Sequence, residues 1–596
     1  MTAAEDKSWL VGPALINFTS VFVSLGVFVF GFEQGLMSSL LTNEYFRSYY
    51  RHPTPAQIGT MIAILEIGAL FSSIFAGRVG DKIGRRRTIR YGSAIFVIGG
   101  LIQTTSVNIW NLSLGRLISG IAIGFLTTII PCYQSEISPP DHRGFYACLE
   151  FTGNIIGYSS SIWTDYGFSF LESNYSWRIP LFVQCIFGFL LWIGSFIIVE
   201  TPRWLLDHDH NEEGYIVISD LYADGDLESD EAVSIYRDIK ESILINRIDG
   251  GERSYSYLFK RYRKRLSVAC FAQMFAQLNG INIISYYAPY IFESAGWVGR
   301  SAILMTGINS LVYIASTIPP WYLVDTWGRK PLLESGAILM GTPLLVIALS
   351  LRSNNRYTPM TVVFSVITCN AAFGYSWGPI PWLMSEVFPN SVRSKGAAMS
   401  TATNWLCNFI VGEMTPILLD VIKWKTYLIP ASSCFLSFFA VRYLFPETKG
   451  ITLEDMGSVF DDSSSVFSFH SGYNSNRDER ERSLSIDERD PPRPVPYAQV
   501  ARDPRSQANT IQENLITGLV LPEAPSVANS GSQVQGKVIN PTQSEVSADS
   551  IPQEIEPPSA DQIAKFKLDR LNKGFFSRFG QKQKKADEET PLLQRN

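Results

Sequence analysis

Between residues 11 and 446 the chain is a succession of apolar runs, each about 20 residues long, enough to cross a hydrocarbon core about 30 Å thick. Lipid gives a backbone N–H or C=O no partner, so runs of this length must cross as helices. Twelve spans are expected, near 14–36, 57–79, 89–108, 112–134, 144–166, 179–199, 265–290, 301–323, 331–350, 361–384, 395–420 and 426–445. The whole-chain figures, 46% hydrophobic with mean hydropathy +0.08, conceal this. From about 450 onward the chain turns to Ser, Asp, Glu, Arg, Pro and Gln. Such a stretch buries too little apolar area to offset its ordering entropy and is expected to be disordered. The net charge of −5 therefore sums two different materials and says little about partners.

Among the runs, one charge signature is written twice. Asp81-Lys82-Ile83-Gly84-Arg85-Arg86 is followed by Glu136 and, seven residues on, Arg143. Asp325-Thr326-Trp327-Gly328-Arg329-Lys330 is followed by Glu386 and, again seven on, Arg393. Acid and base kept in register across two halves point to an internal duplication, the mark of a carrier that rocks one half against the other. Asp81 and Asp325 read as the start of a short helix or turn, with Gly84 and Gly328 permitting the bend.

Lys82, Arg85, Arg86, Arg87 and Arg90 follow span two, and Lys260, Arg261, Arg263, Lys264 and Arg265 follow span six. Positive loops stay cytoplasmic, so both termini are expected inside, with the Asn111 and Asn174 sequons outside. The chain then divides into a cytoplasmic N-terminus (1–13), a six-helix half (14–200), a cytoplasmic helical linker (201–264), a second six-helix half (265–446) and a cytoplasmic tail (447–596). The polar start shows no cleavable signal peptide, and the first run is long enough to span. All seven cysteines lie in or beside apolar runs, in no metal-site or disulfide spacing, and read as packing residues. No nucleophile–base pair, metal cluster or Walker loop suggests an enzyme or an ATP-driven pump, and nothing suggests nucleic-acid binding.

Further motifs recur in order over about 10–457: Glu200-Thr-Pro-Arg-Trp204, Gln277-Leu-Asn-Gly-Ile-Asn282 with Tyr286-Tyr287, Gly378-Pro-Ile-Pro-Trp382, Asn404-Trp405 and Pro446-Glu-Thr-Lys-Gly450. Together with the paired loops, these resemble the sugar porter branch of the major facilitator superfamily, most of all fungal sugar transporters with Ala-Gln-Leu-Asn-Gly-Ile-Asn in span seven. The resemblance implies an all-α polytopic membrane protein with twelve transmembrane helices in two pseudo-symmetric six-helix halves.

A sugar offers hydroxyls around a weakly apolar ring, so its site needs amides and an aromatic wall. Gln277 and Asn282 would lie roughly 140° apart on one continuous helix, both able to edge a cavity. Asn282 and Tyr286 share a face. The resemblance implies that Gln277 and Asn282 bind sugar hydroxyls and that Tyr286 and Tyr287 help close an outer gate. It also implies that Trp382 and Trp405 wall the sugar, with Asn404 beside them; Asn408 lies one turn beyond. Pro379 and Pro381 break span ten, as helices lining a cavity often are. The chain departs from the family pattern in three places. Ala276 replaces one of a Gln pair, Glu150-Phe151 stands where span five usually has Gln, and Tyr313 stands where span eight has Asn, leaving Asn309 to substitute. A hexose, pentose, polyol or larger glycoside all remain open.

Glu33, in Gly31-Phe-Glu-Gln-Gly35, is a costly intramembrane acid unless paired or protonated. Proton-coupled relatives carry Asp at this point and passive facilitators an amide, and Arg116 matches the arginine that partners the acid. A proton is therefore the expected coupling ion, with no cofactor and no metal. A facilitative uniporter, or a sugar-sensing receptor on a transporter body, is the alternative. Asp81, Arg85, Glu136 and Arg143, with Asp325, Arg329, Glu386 and Arg393, are implied to hold the cytoplasmic side shut. Glu66, Glu150 and Glu413 also lie in spans, and the sequence does not choose among them. The tail offers Ser463, Ser464, Ser465, Ser468, Ser483 and Ser485 to kinases. It also offers an alternating basic and apolar stretch, Lys565–Arg578, to the inner leaflet, and Glu588-Glu-Thr-Pro-Leu-Leu593 to trafficking adaptors. The expected location is the plasma membrane, with endosome or vacuole as the alternative.

Overall fold

The computed structural model describes residues 10–139, 143–248, 254–294, 296–297, 299–353, 355–389, 392–449, 460 and 555–567. The expected tail serines, the dileucine segment and residues 568–578 lie outside these. Six spans form the first half: α1 Gly12–Leu40, α2 Pro55–Ile83, α3 Arg85–Thr104, α4 Ile109–Ile137, α5 Arg143–Phe168 and α6 Tyr175–Gly194. Six form the second: α7 (Arg263–Leu278 and Ile281–Ser294), α8 (Arg300–Ser316 and Pro320–Thr326), α9 Arg329–Ser353, α10 (Thr358–Tyr375 and Ile380–Leu383), α11 Arg393–Val421 and α12 Leu428–Leu444. Among the described residues, nine spans are long and uniformly apolar enough to cross a membrane on composition alone; α3, α5 and α11 fall short. Their sequences show why. α3 opens on Arg85-Arg86-Arg87, and α5 and α11 carry Glu150, Asn154, Asn404 and Asn408 toward the interior.

Sequence makes the spans start and pack where they do. Thr54 and Gln57 form a reciprocal cap on α2, and the Asn108 side chain accepts the Asn111 amide at the start of α4. Small residues let helices meet backbone to backbone: a Cβ on Gly120 would strike the Leu65 carbonyl where α4 crosses α2, and one on Gly157 the Phe28 carbonyl where α5 crosses α1. Across the halves, α2 packs on α11 and α5 on α8.

Residues 202–261 carry four helices, Pro202–Asp207, Asn211–Tyr222, Asp230–Ile248 and Tyr255–Arg261. They mark one end of the molecule, here the linker end; the other is the far end. Near the chain's other terminus, a short helix at 560–567 sets Ile563, 3% exposed, among Leu206, Tyr215, Ile218 and Tyr236 of the linker helices. The expected amphipathic stretch starts two residues after Ile563; of its described residues, Lys565 and Lys567 are exposed.

The expected continuous span seven is broken. Helix stops at Leu278 and resumes at Ile281, and Gly280 between them sits at φ +91°, where an L side chain is strained. Span ten breaks as its prolines foretell, between Tyr375 and Ile380.

Candidate functional site

The break in α7 turns Gln277 and Asn282 toward each other, so the 140° separation of an unbroken helix does not hold. Asn282 Nδ2 donates to Gln277 Oε1 at 2.5 Å and to Asn408 Oδ1 at 2.6 Å, and Asn282 Oδ1 accepts from Gln34 Nε2 at 2.7 Å. One asparagine thus ties α7 and α11 of the second half to α1 of the first. A turn toward the linker end, Asn404 Nδ2 donates to Gln273 Oε1 at 2.6 Å. All of these amides except Gln34 are buried. They satisfy one another now, and sugar hydroxyls are chemically equivalent replacements.

Below them toward the linker end lies a cavity of about 60 Å³, walled by Phe30, Gln134, Glu150, Phe151, Asn154 and Trp382 among others. That holds a few waters and falls far short of the roughly 300 Å³ at which small-molecule pockets begin. Trp405 does not line it but backs Phe30, ring to ring at 5.1 Å. Phe151, the residue at the family's Gln position, lays its ring against Gly378 at the break in α10. Asn309 is wholly buried on α8; among the described residues neither of its amide atoms has a hydrogen-bond partner, and no bond joins it to the amide cluster.

The far side of the cluster is shut. Tyr286 and Tyr287 pack with Phe32, Leu36, Met37 and Leu40 of α1, and the Tyr287 hydroxyl donates to the Gly412 carbonyl at 3.1 Å. At the same depth, Arg116 Nη1 lies 2.9 Å from Glu33 Oε1, both side chains 1% exposed. Arg116 also donates to the Met61 and Ile62 carbonyls of α2, at 2.7 and 3.1 Å.

The linker end carries a network of charged groups. Arg85 bridges Glu136 at 2.9 Å and Asp81 at 3.3 Å. Asp81 also accepts from Ser394 at 2.9 Å and faces Lys395 at 3.2 Å, both on α11 of the other half. The second copy mirrors this: Arg329 meets Asp325 at 3.2 Å, and Asp325 lies against Gly144 at the start of α5. Neither aspartate begins a helix; Asp81 closes α2 and Asp325 closes the second piece of α8. A carboxylate at a helix C-terminus opposes the macrodipole, and the flanking cations offset it. Arg393 donates to the Phe388 carbonyl at 3.3 Å. The side chains of Arg143 and Glu386 lie outside the described residues.

A third element repeats that sequence reasoning passed over. Glu200 accepts the amides of Arg85 and Arg86 at 2.9 and 3.2 Å, capping α3, and Glu447 accepts those of Arg329 and Lys330 at 3.1 and 3.0 Å, capping α9. Burial pushes the Glu200 carboxyl above its ordinary pKa, against the pull of these amides and Arg85. Gly84 and Gly328, at φ +95° and +100°, leave room for the two carboxylates.

A family model described as "Sugar (and other) transporter" matches residues 19–460. The chain is 33% identical over 466 residues to the MFS-type transporter criB of Aspergillus cristatus, covering 76% of this chain and 96% of that one. It is 31% identical over 459 residues to a high-affinity glucose transporter of Kluyveromyces lactis, covering 73% and 83%. A solved structure of the proton:xylose symporter XylE superposes with a TM-score of 0.66 at 24% identity, over 74% of this chain and 98% of that one.

Proposed function

This chain belongs to the sugar transporter family of the major facilitator superfamily, with its twelve-helix fold, and on that premise we propose that it carries a sugar across a membrane by alternating access, coupled to a proton. The family is one of membrane transporters, not enzymes. The observation that carries the proposal is the amide cluster on Asn282, which joins the two halves. A solute bound there is held by both halves and released when they part. The phenylalanine at position 151 and the alanine at 276 leave fewer amides and more aromatic surface, which suits a hexose, a pentose or a related carbohydrate.

Glu33 and Arg116 are the proposed coupling pair. Opening toward the far side wets Glu33 and admits a proton; opening toward the linker end restores the ion pair and expels it. The linker end, with its cationic loops, is the proposed cytoplasmic face, and the plasma membrane the proposed location, with endosome or vacuole reached through the tail's sorting segment. Kinases and trafficking adaptors are proposed partners of that tail. Glu33→Gln tests the coupling: the variant should lose uphill accumulation of substrate while keeping exchange across the membrane. Normal accumulation by it would sink the coupling.

A further inference from the structure

A buried acid at the contact between the two halves takes no part in the arrangement so far. Glu66 of α2 is wholly buried, and its Oε1 accepts the Tyr286 hydroxyl of α7, from the other half, at 2.9 Å. Its Oε2 has no hydrogen-bond partner among the described residues. The charged and titratable groups facing it are Arg116 from α4, Glu33 from α1, Tyr286 and Tyr287 from α7, and through Tyr287 also Glu413 from α11.

Arg116 is the one cation in that set, and each of its three nitrogens already makes a hydrogen bond. Nη1 serves Glu33, while Nε and Nη2 serve the Met61 and Ile62 carbonyls. Ile62 lies one helical turn before Glu66, so the guanidinium braces α2 beside Glu66 while giving its direct contact to Glu33. Two carboxylates then share one guanidinium. With both ionised, the cluster carries a surplus negative charge, and the closed far gate seals that charge from water behind Tyr286, Tyr287, Phe32 and Leu36. An uncompensated buried charge strongly opposes such a state, and a proton removes it. Glu33 has the guanidinium at 2.9 Å, whereas Glu66 has a neutral phenol. Other span acids are placed differently: Glu413 is only half-buried and accepts the Thr60 hydroxyl at 3.0 Å, Glu150 stands on the cavity wall, and Asp165 is buried in the last turn of α5.

We propose that Glu66 takes up one proton from the far side as the far gate closes, neutralising the Glu33–Arg116–Glu66 cluster, and that its hydrogen bond to Tyr286 ties this proton to the gate helix. The carboxylate becomes a carboxylic acid and no other bond changes; the Tyr286 contact persists with either oxygen as donor. The inference rests on the proton-coupled reading and assigns it a second residue, one that lies outside the acid–arginine pair.

Closure should then be favoured by acid on the far side. The test uses the full chain with its native cysteines replaced by serine and Met37→Cys placed in the gate. Reaction with a membrane-impermeant maleimide is followed from about pH 8 to about pH 5.5, normalised to an exposed Arg51→Cys reference. Normalised labelling should fall with acidity, its steepest slope approaching tenfold per pH unit for one linked proton. Glu66→Gln should label slowly and without pH dependence, and Glu66→Asp should restore the slope. Tyr286→Phe should keep the slope and raise labelling at every pH. A slope retained in Glu66→Gln, or one absent from the parent protein, overturns the inference, as does Tyr286→Phe labelling at the parent's rate. Whether transport is proton-coupled at all is read separately, from protonophore sensitivity of uptake, so the two failures are distinguishable.

Discussion

Replacing Asn282 with alanine should raise the KM for the transported sugar far more than it lowers the maximal rate. Asn282 makes three hydrogen bonds, to Gln277, Asn408 and Gln34, and each partner belongs to the same buried or half-buried amide cluster. When sugar enters, these amides exchange bonds with each other for bonds with hydroxyls. A neutral hydrogen bond contributes about 0.5–1.5 kcal/mol. If Asn282 gives two to the sugar, the loss is about 1–3 kcal/mol, or roughly 5- to 150-fold in affinity. The control is Asn279→Ala. Asn279 lies in the same helix break and is equally buried, but its two longer bonds join Ser437 at 3.2 Å and Ser433 at 3.0 Å, away from the cluster. It should lower stability and leave KM nearly unchanged. Initial uptake rates against sugar concentration, corrected for surface protein, give both parameters. A KM within about twofold of the parent for Asn282→Ala, or an equal shift for Asn279→Ala, refutes the assignment.

Three other outcomes are expected. Gly84→Ala places a Cβ at φ +95° against the Glu200 carboxylate and should cost about 1–3 kcal/mol, read as a lower thermal midpoint of the detergent-solubilised protein; an unchanged midpoint counts against the cap. Asp81→Asn removes the charge that Arg85 and Lys395 share and should open the linker end, measured as faster labelling of a cysteine placed beside Ser394; equal labelling would remove Asp81 from the gate. Ile563→Asp puts a charge among the apolar side chains of the linker helices and should make the 560–567 helix an early site of limited proteolysis, whereas an unchanged digestion pattern means that Ile563 does not hold it.

Much of this architecture was legible because membrane helices leave a strong mark. Runs of about 20 apolar residues marked all twelve spans, and the family resemblance implied a set of charged loop residues of which Arg85 and Glu136 lie 2.9 Å apart. What sequence did not show came from contacts between halves. Ser394 and Lys395 lie more than three hundred residues from Asp81, and no spacing rule joins them. Other omissions had a signal. Gln273 is one helical turn from Gln277, and Gln34 adjoins Glu33, so both were visible as polar neighbours of chosen residues. The Glu-Thr pairs at 200–201 and 447–448 stood in quoted motifs, but their shared role as helix caps needed the turns at Gly84 and Gly328 to be seen in space. The break in α7 was missed because Leu278-Asn-Gly-Ile281 carries no proline, and a glycine alone does not announce a stop.

The central claim, sugar transport driven by a proton gradient, is tested most directly by uptake of a labelled panel in transport-null cells, with and without a protonophore. The panel holds glucose, galactose, xylose, a polyol and a disaccharide. The account predicts uphill uptake of at least one member that collapses when the protonophore is added. Uptake that only equilibrates would contradict the coupling, and no uptake of any member by correctly localised protein would contradict sugar transport itself in favour of a receptor built on a transporter body.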